Sequence, residues 1–174
     1  MNNKIMYQWQ EEMETHLPSL NTWQAANVAL MSYGVMKAEG SQEQKVASAA
    51  RRIRRFLSNA HFPLMAFFTE WSGWVLRMLS GQAISLLVDE TKIHDRSGVR
   101  MVGVAWEGRC LPLAWRTYRA NDAATYPVEG QVSTIEGLLK LVKMALPDGG
   151  DVLVLADRGI GCSPALCHVV ERLK

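Results

Sequence analysis

Cysteines and long apolar runs are both scarce in this sequence. There are three cysteines among 174 residues: Cys110, Cys162 and Cys167. Such an odd and sparse set does not suit a disulfide framework and is typical of a reducing compartment. The most apolar stretch, residues 62–79, is interrupted by Glu70 and Arg77, whereas a membrane span needs roughly 20 consecutive apolar residues. We therefore expect a cytoplasmic protein with no membrane partner.

A strong excess of charge of either sign is also absent. The chain has 19 Lys and Arg against 17 Asp and Glu, a formal net charge of +2, which does not by itself indicate an anionic partner. The first residues, Met1 to Lys4, are polar and do not lead into the apolar core of a signal peptide. With 48% hydrophobic residues, the chain predicts one folded domain, or a domain with a small helical appendage.

Two apolar stretches each end on an aspartate. Residues 84–91 read ISLLVDET and residues 151–159 read DVLVLADRG, and both are typical of buried strands. If the two strands are neighbours and run parallel, Asp89 and Asp157 lie at one rim of one sheet. Two carboxylates facing a common point suit a hard divalent cation such as Mg²⁺. The alternative is a pair of strand-end caps in an ordinary α/β domain; the pair together favours the metal site.

Residues 1–80 predict an all-helical region that precedes the strands. Its four helices are predicted over residues 5–17, 21–36, 41–59 and 61–80. Pro18 ends the first helix, and Asn21 or Ser19 caps the second. An aromatic stripe on the fourth helix favours a buried core over base stacking. Its members are Phe62, Phe67, Phe68, Trp71 and Trp74.

Basic side chains are concentrated on the third predicted helix. They are Lys45, Arg51, Arg52, Arg54 and Arg55. Four guanidinium groups flanking one core isoleucine, Ile53, predict a helix that contacts the phosphate backbone of DNA, within a helix-turn-helix-like arrangement. The alternative is a solvated face whose long side chains cover apolar surface.

Residues 81–174 predict the order strand, strand, strand, helix, strand, helix. The first three strands form an antiparallel meander, in which Pro112 indicates that the third strand lies at an edge. A Ser-x-x-Glu capping box at Ser133 opens the next helix, and Ser163-Pro164 opens the last. A right-handed crossover returns the fourth strand parallel to the first. The predicted class is therefore α/β with strand order 3-2-1-4.

Three segments of this half resemble DDE transposases of bacterial insertion sequences, which have a ribonuclease H-like fold. They are LLVDET at 86–91, GRCLPLAW at 108–115 and LADRGIG at 155–161. The basic segment ending RRFLSN at 54–59 resembles the helical region that precedes the catalytic domain of this family. The resemblance implies cleavage and strand transfer of double-stranded transposon ends with two Mg²⁺ or Mn²⁺ ions. It also implies a bacterial, nucleoid-associated protein that acts as a homodimer.

The resemblance makes Asp89 the first catalytic acid, bridging both ions, and Asp157 the second. The family's third acid is a glutamate on a helix that follows a fifth strand, and neither element occurs before Lys174. Glu171 lies on the helix directly after Asp157, which is the wrong element. We therefore expect an incomplete ribonuclease H-like fold whose last strand is exposed as an apolar edge. We also expect the protein to be inactive, because it is truncated before the third acid.

The sequence leaves three alternatives to this function. A non-catalytic DNA-binding or regulatory protein derived from a transposase is the main alternative. A stand-alone nuclease of the same fold needs a further acid. A zinc site at Cys162, Cys167 and His168 is disfavoured for two reasons. Their spacing is not that of two ligand pairs, and a helix places the adjacent residues Cys167 and His168 on different faces.

Overall fold

The computed structural model describes residues 3–36, 55–56, 59–93, 96–120, 122, 124–147, 151–161 and 163–172. Its helices are α1 Asn3–His16, α2 Thr22–Met36, α3 Leu64–Met78, α4 Gly130–Lys143, α5 Arg158–Gly161 and α6 Pro164–Arg172. Its strands are β1 Ile84–Ile93, β2 Ser97–Trp106, β3 Arg109–Arg119 and β4 Val152–Ala156. The chain divides into two compact units, Met1–Glu70 and Trp71–Lys174, and α3 contributes to both.

In the first unit, α1 and α2 pack together. The indole N–H of Trp9 on α1 donates to Ser32 Oγ on α2 at 2.7 Å, while Met13 and Leu17 are fully buried. Asn21 caps α2 through a reciprocal pair of bonds: its Oδ1 accepts from the Gln24 N–H at 2.9 Å, and Gln24 Oε1 accepts from the Asn21 N–H at 3.0 Å. Of the two predicted caps, Asn21 is therefore the one that forms.

Ser19, the other predicted cap, is held by Glu70 at the end of the same unit. The carboxylate accepts from the Ser19 backbone N–H at 3.0 and 3.1 Å and from its hydroxyl at 2.7 Å. Glu70 thus fixes Ser19 in the loop that connects α1 to α2. The charge that interrupts the most apolar stretch of the sequence has a structural partner.

Most of the predicted helix over residues 41–59 lies outside the described residues. Arg55 and Phe56 are helical; Arg55 is exposed, and Phe56 is buried with its ring 5.2 Å from that of Phe62. The next helix, α3, begins at Leu64 and not at His61. Three of the five predicted aromatic residues are core: Phe67, Phe68 and Trp74 are at most 9% exposed. Phe62, which precedes the helix, and Trp71 are half-buried.

The second unit is built on a four-stranded mixed sheet in the order β3-β2-β1-β4. Strands β1, β2 and β3 form an antiparallel meander, and β4 pairs parallel to β1. The predicted class, strand order and edge position of β3 are confirmed. Pro112 lies opposite Gly103, where the β2–β3 register shifts; a bulge at an edge strand tolerates a residue that has no N–H to donate.

One face of the sheet is covered by α4, and this face holds the core of the unit. Alternate residues of β1 point into it: Ile84, Leu86 and Val88 are at most 3% exposed. The buried residues of α4 pack there, and they are Thr134, Ile135, Leu138, Leu139 and Val142. Residues of β1 at odd positions, including Leu87 and Asp89, project from the opposite face, because successive side chains of a strand alternate.

Helix α4 begins one turn earlier than predicted, so the capping box at Ser133 is wrong. The N-cap position is Glu129, which makes no side-chain capping bond, and Gly130 has a φ of +81°. The hydroxyl of Thr134 donates to the Gly130 carbonyl at 2.6 Å. The extra turn also brings Gln131 to Glu90 on β1, with Nε2 donating to Oε2 at 2.6 Å. A tertiary contact thus extends the helix past the local capping signal.

Strand β4 is paired only with β1 among the described strands, and its side chains are unusually exposed. Leu153 is 56% exposed and Leu155 is 45% exposed, as expected for the apolar edge predicted from the sequence. The short helix α5, which was not predicted, follows β4, and α6 begins at Pro164 as predicted. None of the helices described here has the length and apolar character needed to cross a bilayer.

Candidate metal centre

The parallel pairing of β1 and β4 places the two predicted catalytic aspartates side by side. The last registered pair of these strands is Val88 with Ala156, so Asp89 and Asp157 are the next residues on each strand. Neighbouring strands lie about 4.8 Å apart, and paired positions present their side chains on the same face. Asp89 and Asp157, which directly follows β4, therefore lie at one rim of the sheet. The side chain of Asp89 projects from the face opposite α4.

Each of the two carboxylates is oriented by one local hydrogen bond. Asp89 Oδ2 accepts from the Thr91 hydroxyl, and Asp157 Oδ1 accepts from the backbone N–H of Arg158. The backbone oxygen of Asp157 accepts from the N–H groups of Ile160 and Gly161, at 2.9 and 2.6 Å, so the α5 turn closes around this residue. The second oxygen of each carboxylate has no donor among the described residues and remains open to a cation.

A protonated thiol lies close to the first carboxylate. Burial, and then the negative charge of Asp89, raise the pKa of Cys110 above its ordinary value. The Sγ of Cys110 lies over Gly103, where an added Cβ would be only 2.4 Å from the sulfur. A glycine at this position of β2 is what allows the thiol to occupy this face. Because a thiol with a raised pKa is a poor metal ligand at neutral pH, Cys110 adds little to a metal site as it stands.

The donor set fits part of a divalent-cation site. In the parts of the chain that the structure describes, no group of three or more His, Cys, Asp or Glu side chains is arranged to hold a metal ion. Magnesium favours carboxylate oxygens but takes about six ligands, several of them water. Asp89 and Asp157 supply two carboxylates, and a complete site needs further oxygen donors.

Other residues singled out from the sequence lie apart from this pair or outside the described residues. Lys45, Arg51, Arg52 and Arg54 fall outside the described ranges, as does Cys162. Arg55 is an exposed residue of the first unit. On α6, Cys167, His168 and Glu171 are all exposed, and Cys167 is a free thiol.

A polar cluster on the covered face of the sheet was missed by the sequence analysis. The side chain of Arg100 on β2 is 0% exposed, and its Nε donates to Glu90 Oε2 at 2.9 Å. Glu90 also accepts from the Tyr118 hydroxyl and from Gln131. The guanidinium carbon lies 5.1 Å from the ring centroid of Tyr118 and 4.7 Å from that of Tyr126, and Nη2 donates to the Tyr126 hydroxyl.

Burial and hydrogen bonding act in opposite directions on this cluster. Burial alone would raise the pKa of Glu90, but the hydrogen bonds from Arg100, Tyr118 and Gln131, with the Arg100 charge, bring the net pKa below its ordinary value. Burial and the hydrogen bond to Glu90 raise the pKa of Tyr118 to about 12. A signal did exist in the sequence: strand alternation places Glu90 and Arg100 at inward positions, where an unpaired charge is costly.

Comparisons with protein-family models, with curated proteins and with solved structures give no match.

Proposed function

We propose that this protein carries two carboxylates of a metal-dependent DNA-processing site of the kind used by DDE transposases with a ribonuclease H-like fold. Asp89 and Asp157 are the proposed metal ligands. The observation that supports the proposal is the register of the parallel strands β1 and β4. Val88 pairs with Ala156, and each of these residues is directly followed by one of the two aspartates. Core packing requires a carboxylate at neither position, because Asp89 is only partly buried and Asp157 is exposed.

In such a site the metal, Mg²⁺ or Mn²⁺, activates water or a 3′-hydroxyl and stabilises the leaving oxygen of a phosphodiester. The residues of this chain would hold and orient it. The Thr91 hydroxyl fixes one oxygen of Asp89, and the Arg158 N–H fixes one oxygen of Asp157. The remaining oxygen of each carboxylate is the proposed metal-binding atom. Water and DNA phosphate oxygens would complete the coordination, together with a further acid.

The first test is a titration with Mn²⁺, in which binding is detected by the effect of the ion on water proton relaxation. We expect Asp89→Asn and Asp157→Asn each to weaken manganese binding by about tenfold or more, because each removes a charged ligand. Asp151→Asn is the matched control, since Asp151 is exposed and directly precedes β4 at its other end. Equal titration curves for the wild type and all three variants would exclude the proposed ligands.

A non-catalytic DNA-binding or regulatory role is the second candidate. It is favoured by the lack of a third acid beside Asp89 and Asp157 among the described residues. The two candidates differ in a nicking assay on supercoiled DNA with Mn²⁺. Cleavage that disappears in Asp89→Asn supports the catalytic role, whereas DNA binding without cleavage supports the regulatory one. In the second case, replacing Arg51 and Arg55 by alanine should reduce the salt dependence of DNA affinity.

A further inference from the structure

A cleft lies at the end of the sheet where β1, β2 and β3 meet the loop before α4. Its volume is about 560 Å³, within the range of about 300–1,000 Å³ found for small-molecule sites. The side chains that define it are Glu90, Lys92, Tyr118, Arg119, Asp122 and Tyr126. By strand alternation, Lys92 and Tyr118 lie on the face covered by α4, whereas Arg119 lies on the face of Asp89. The cleft is therefore at the end of the sheet and is not confined to one face.

Two tyrosine rings form a wall of this cleft that is held from behind. The rings of Tyr118 and Tyr126 meet edge to face, with centroids 5.2 Å apart, and the buried guanidinium of Arg100 lies against both. The Tyr118 hydroxyl donates to Glu90, and the Tyr126 hydroxyl accepts from Arg100. Gly98 leaves room for Tyr118, because a Cβ there would lie 2.2 Å from the ring.

The ion pair between Arg100 and Glu90 holds the rings of Tyr118 and Tyr126 in place. Burying Arg100 and Glu90 carries a desolvation cost, so the pair is weak support for stability as such. Side chains that are already fixed lose little freedom when a ligand binds, which favours affinity. The wall is therefore suited to recognition.

Among the described residues that line the cleft, the charges leave a surplus of one positive charge. Lys92 and Arg119 are both exposed, and neither forms an ion pair with a carboxylate among the described residues. Glu90 is balanced by Arg100. Asp122 opposes the two cations, but its Oδ1 accepts from the Ala124 N–H at 3.1 Å. The cleft is thus matched to a singly charged anion.

One nucleotide of a nucleic-acid strand has these properties: its phosphate carries a single negative charge, and its base can contact an aromatic ring. Sites for single strands combine cationic side chains along the backbone with aromatic rings that contact bases. Lys92 also lies three residues beyond Asp89 on β1, or about 10 Å along the strand. A DNA strand that reaches the aspartates is close enough to reach the cleft as well.

We propose that this cleft binds one nucleotide of a DNA strand, with Lys92 and Arg119 contacting its phosphate and Tyr126 packing against its sugar or base. The proposal rests on the proposed function, in that the protein acts on DNA. It assigns the contact to the β1–β3 end of the sheet, a location separate from the arginine-rich segment.

The test measures binding of fluorescein-labelled oligodeoxythymidine by anisotropy across a salt series. The double variant Lys92→Ala/Arg119→Ala should bind about tenfold more weakly, with the slope of log K against log salt reduced by about 0.7. The charge-matched control is Arg109→Ala/Lys140→Ala: Arg109 follows the β2–β3 turn, at the opposite end of the sheet, and Lys140 is exposed on α4. The charge-preserving variant Lys92→Arg/Arg119→Lys should retain binding.

Three outcomes would overturn the proposal. One is equal affinity and salt slope in the wild type, the alanine variant and the control. Another is tight binding of free thymidine monophosphate that the alanine variant loses, which would assign the cleft to a nucleotide and not to a strand. The third is a wild type that binds manganese but no DNA. In each case the manganese titration still decides the roles of Asp89 and Asp157 on its own.

Discussion

At the scale of single residues, Arg100 makes the most consequential contact in the sheet. It is fully buried and connects β1 through Glu90, β3 through Tyr118, and the loop before α4 through Tyr126. The structure gives this one side chain contacts with three segments that are distant in sequence. Its removal should therefore cost more than the loss of an ordinary ion pair.

We expect Arg100→Met to lower the free energy of unfolding by about 3 kcal/mol, because the half-buried Glu90 loses its cation. Arg116→Met is the matched control, since Arg116 is the cross-strand partner of Arg100 but is exposed; it should cost less than about 0.5 kcal/mol. Denaturation in urea measures both. Similar losses in the two variants would show that the burial of Arg100 is unimportant.

A second prediction concerns the thiol beside Asp89. Burial and the Asp89 charge raise the pKa of Cys110, so removing that charge in Asp89→Asn should lower the pKa again. A lower pKa means more thiolate at a given pH, and alkylation of Cys110 by iodoacetamide near pH 8 should become at least about twofold faster. Mass spectrometry resolves the rates at each cysteine.

The control for this measurement is contained in the same protein. Alkylation of Cys167, which is exposed on α6, should proceed at the same rate in the wild type and in Asp89→Asn. Asp151→Asn should leave Cys110 unchanged. A Cys110 rate that does not respond to Asp89→Asn would contradict the electrostatic link between the two side chains.

At single residues, some placements could be predicted from the sequence and others could not. Asp89 and Asp157 could be placed at one end of neighbouring strands from the order of the elements, while their role as metal ligands stays a prediction. Arg100 and Tyr126 could not, because their partners are fixed only when β1, β3 and the loop before α4 are assembled. Alternation placed Arg100 inward, but the sequence alone does not say which carboxylate meets it.

At the scale of secondary-structure elements, the two glycines of β2 test how closely β3 packs against it. The three atoms nearest to an added Cβ at Gly98 all belong to the Tyr118 side chain, the closest at 2.2 Å, whereas a Cβ at Gly103 would lie 2.8 Å from the backbone oxygen of Leu111. A side chain can be removed by mutation and a backbone carbonyl cannot. The two positions should therefore respond differently to a second substitution.

We expect Gly98→Ala and Gly103→Ala each to cost about 1–3 kcal/mol of stability through overpacking. In a Tyr118→Ala background the cost of Gly98→Ala should nearly vanish, while in a Cys110→Ala background that of Gly103→Ala should persist. Double-mutant cycles in urea measure the two coupling energies. Equal coupling at both sites would mean that the strands can shift to accommodate either methyl group.

The order and type of the elements in the second unit could be predicted because each has a local signature. The alternation of β2, the Glu107-Gly108 turn and Pro164 at the start of α6 all act over a few residues. The start of α4 was missed because Gln131, in its first turn, is drawn to Glu90 on β1. A contact between elements set this boundary, whereas the capping box at Ser133 is only a local preference.

At the scale of the whole molecule, the topology was predictable because few arrangements satisfy three meander strands, a crossover helix and a fourth apolar strand. The sheet order follows from those constraints. The identity of the complete functional site does not, because a metal site depends on donors that converge from separate elements. The two aspartates at one rim define the proposed metal site and leave its other ligands open.

The parallel pairing of β4 with β1 also has a consequence for how the protein folds. The meander β1–β2–β3 joins strands that are neighbours in sequence, whereas Ile84 must find Val152 across the whole of the meander and α4. Closing the longer loop is slower, so β4 should join the sheet last. Asp157 then reaches Asp89 only in that final step, and the ability to bind manganese would appear with the slowest phase of refolding.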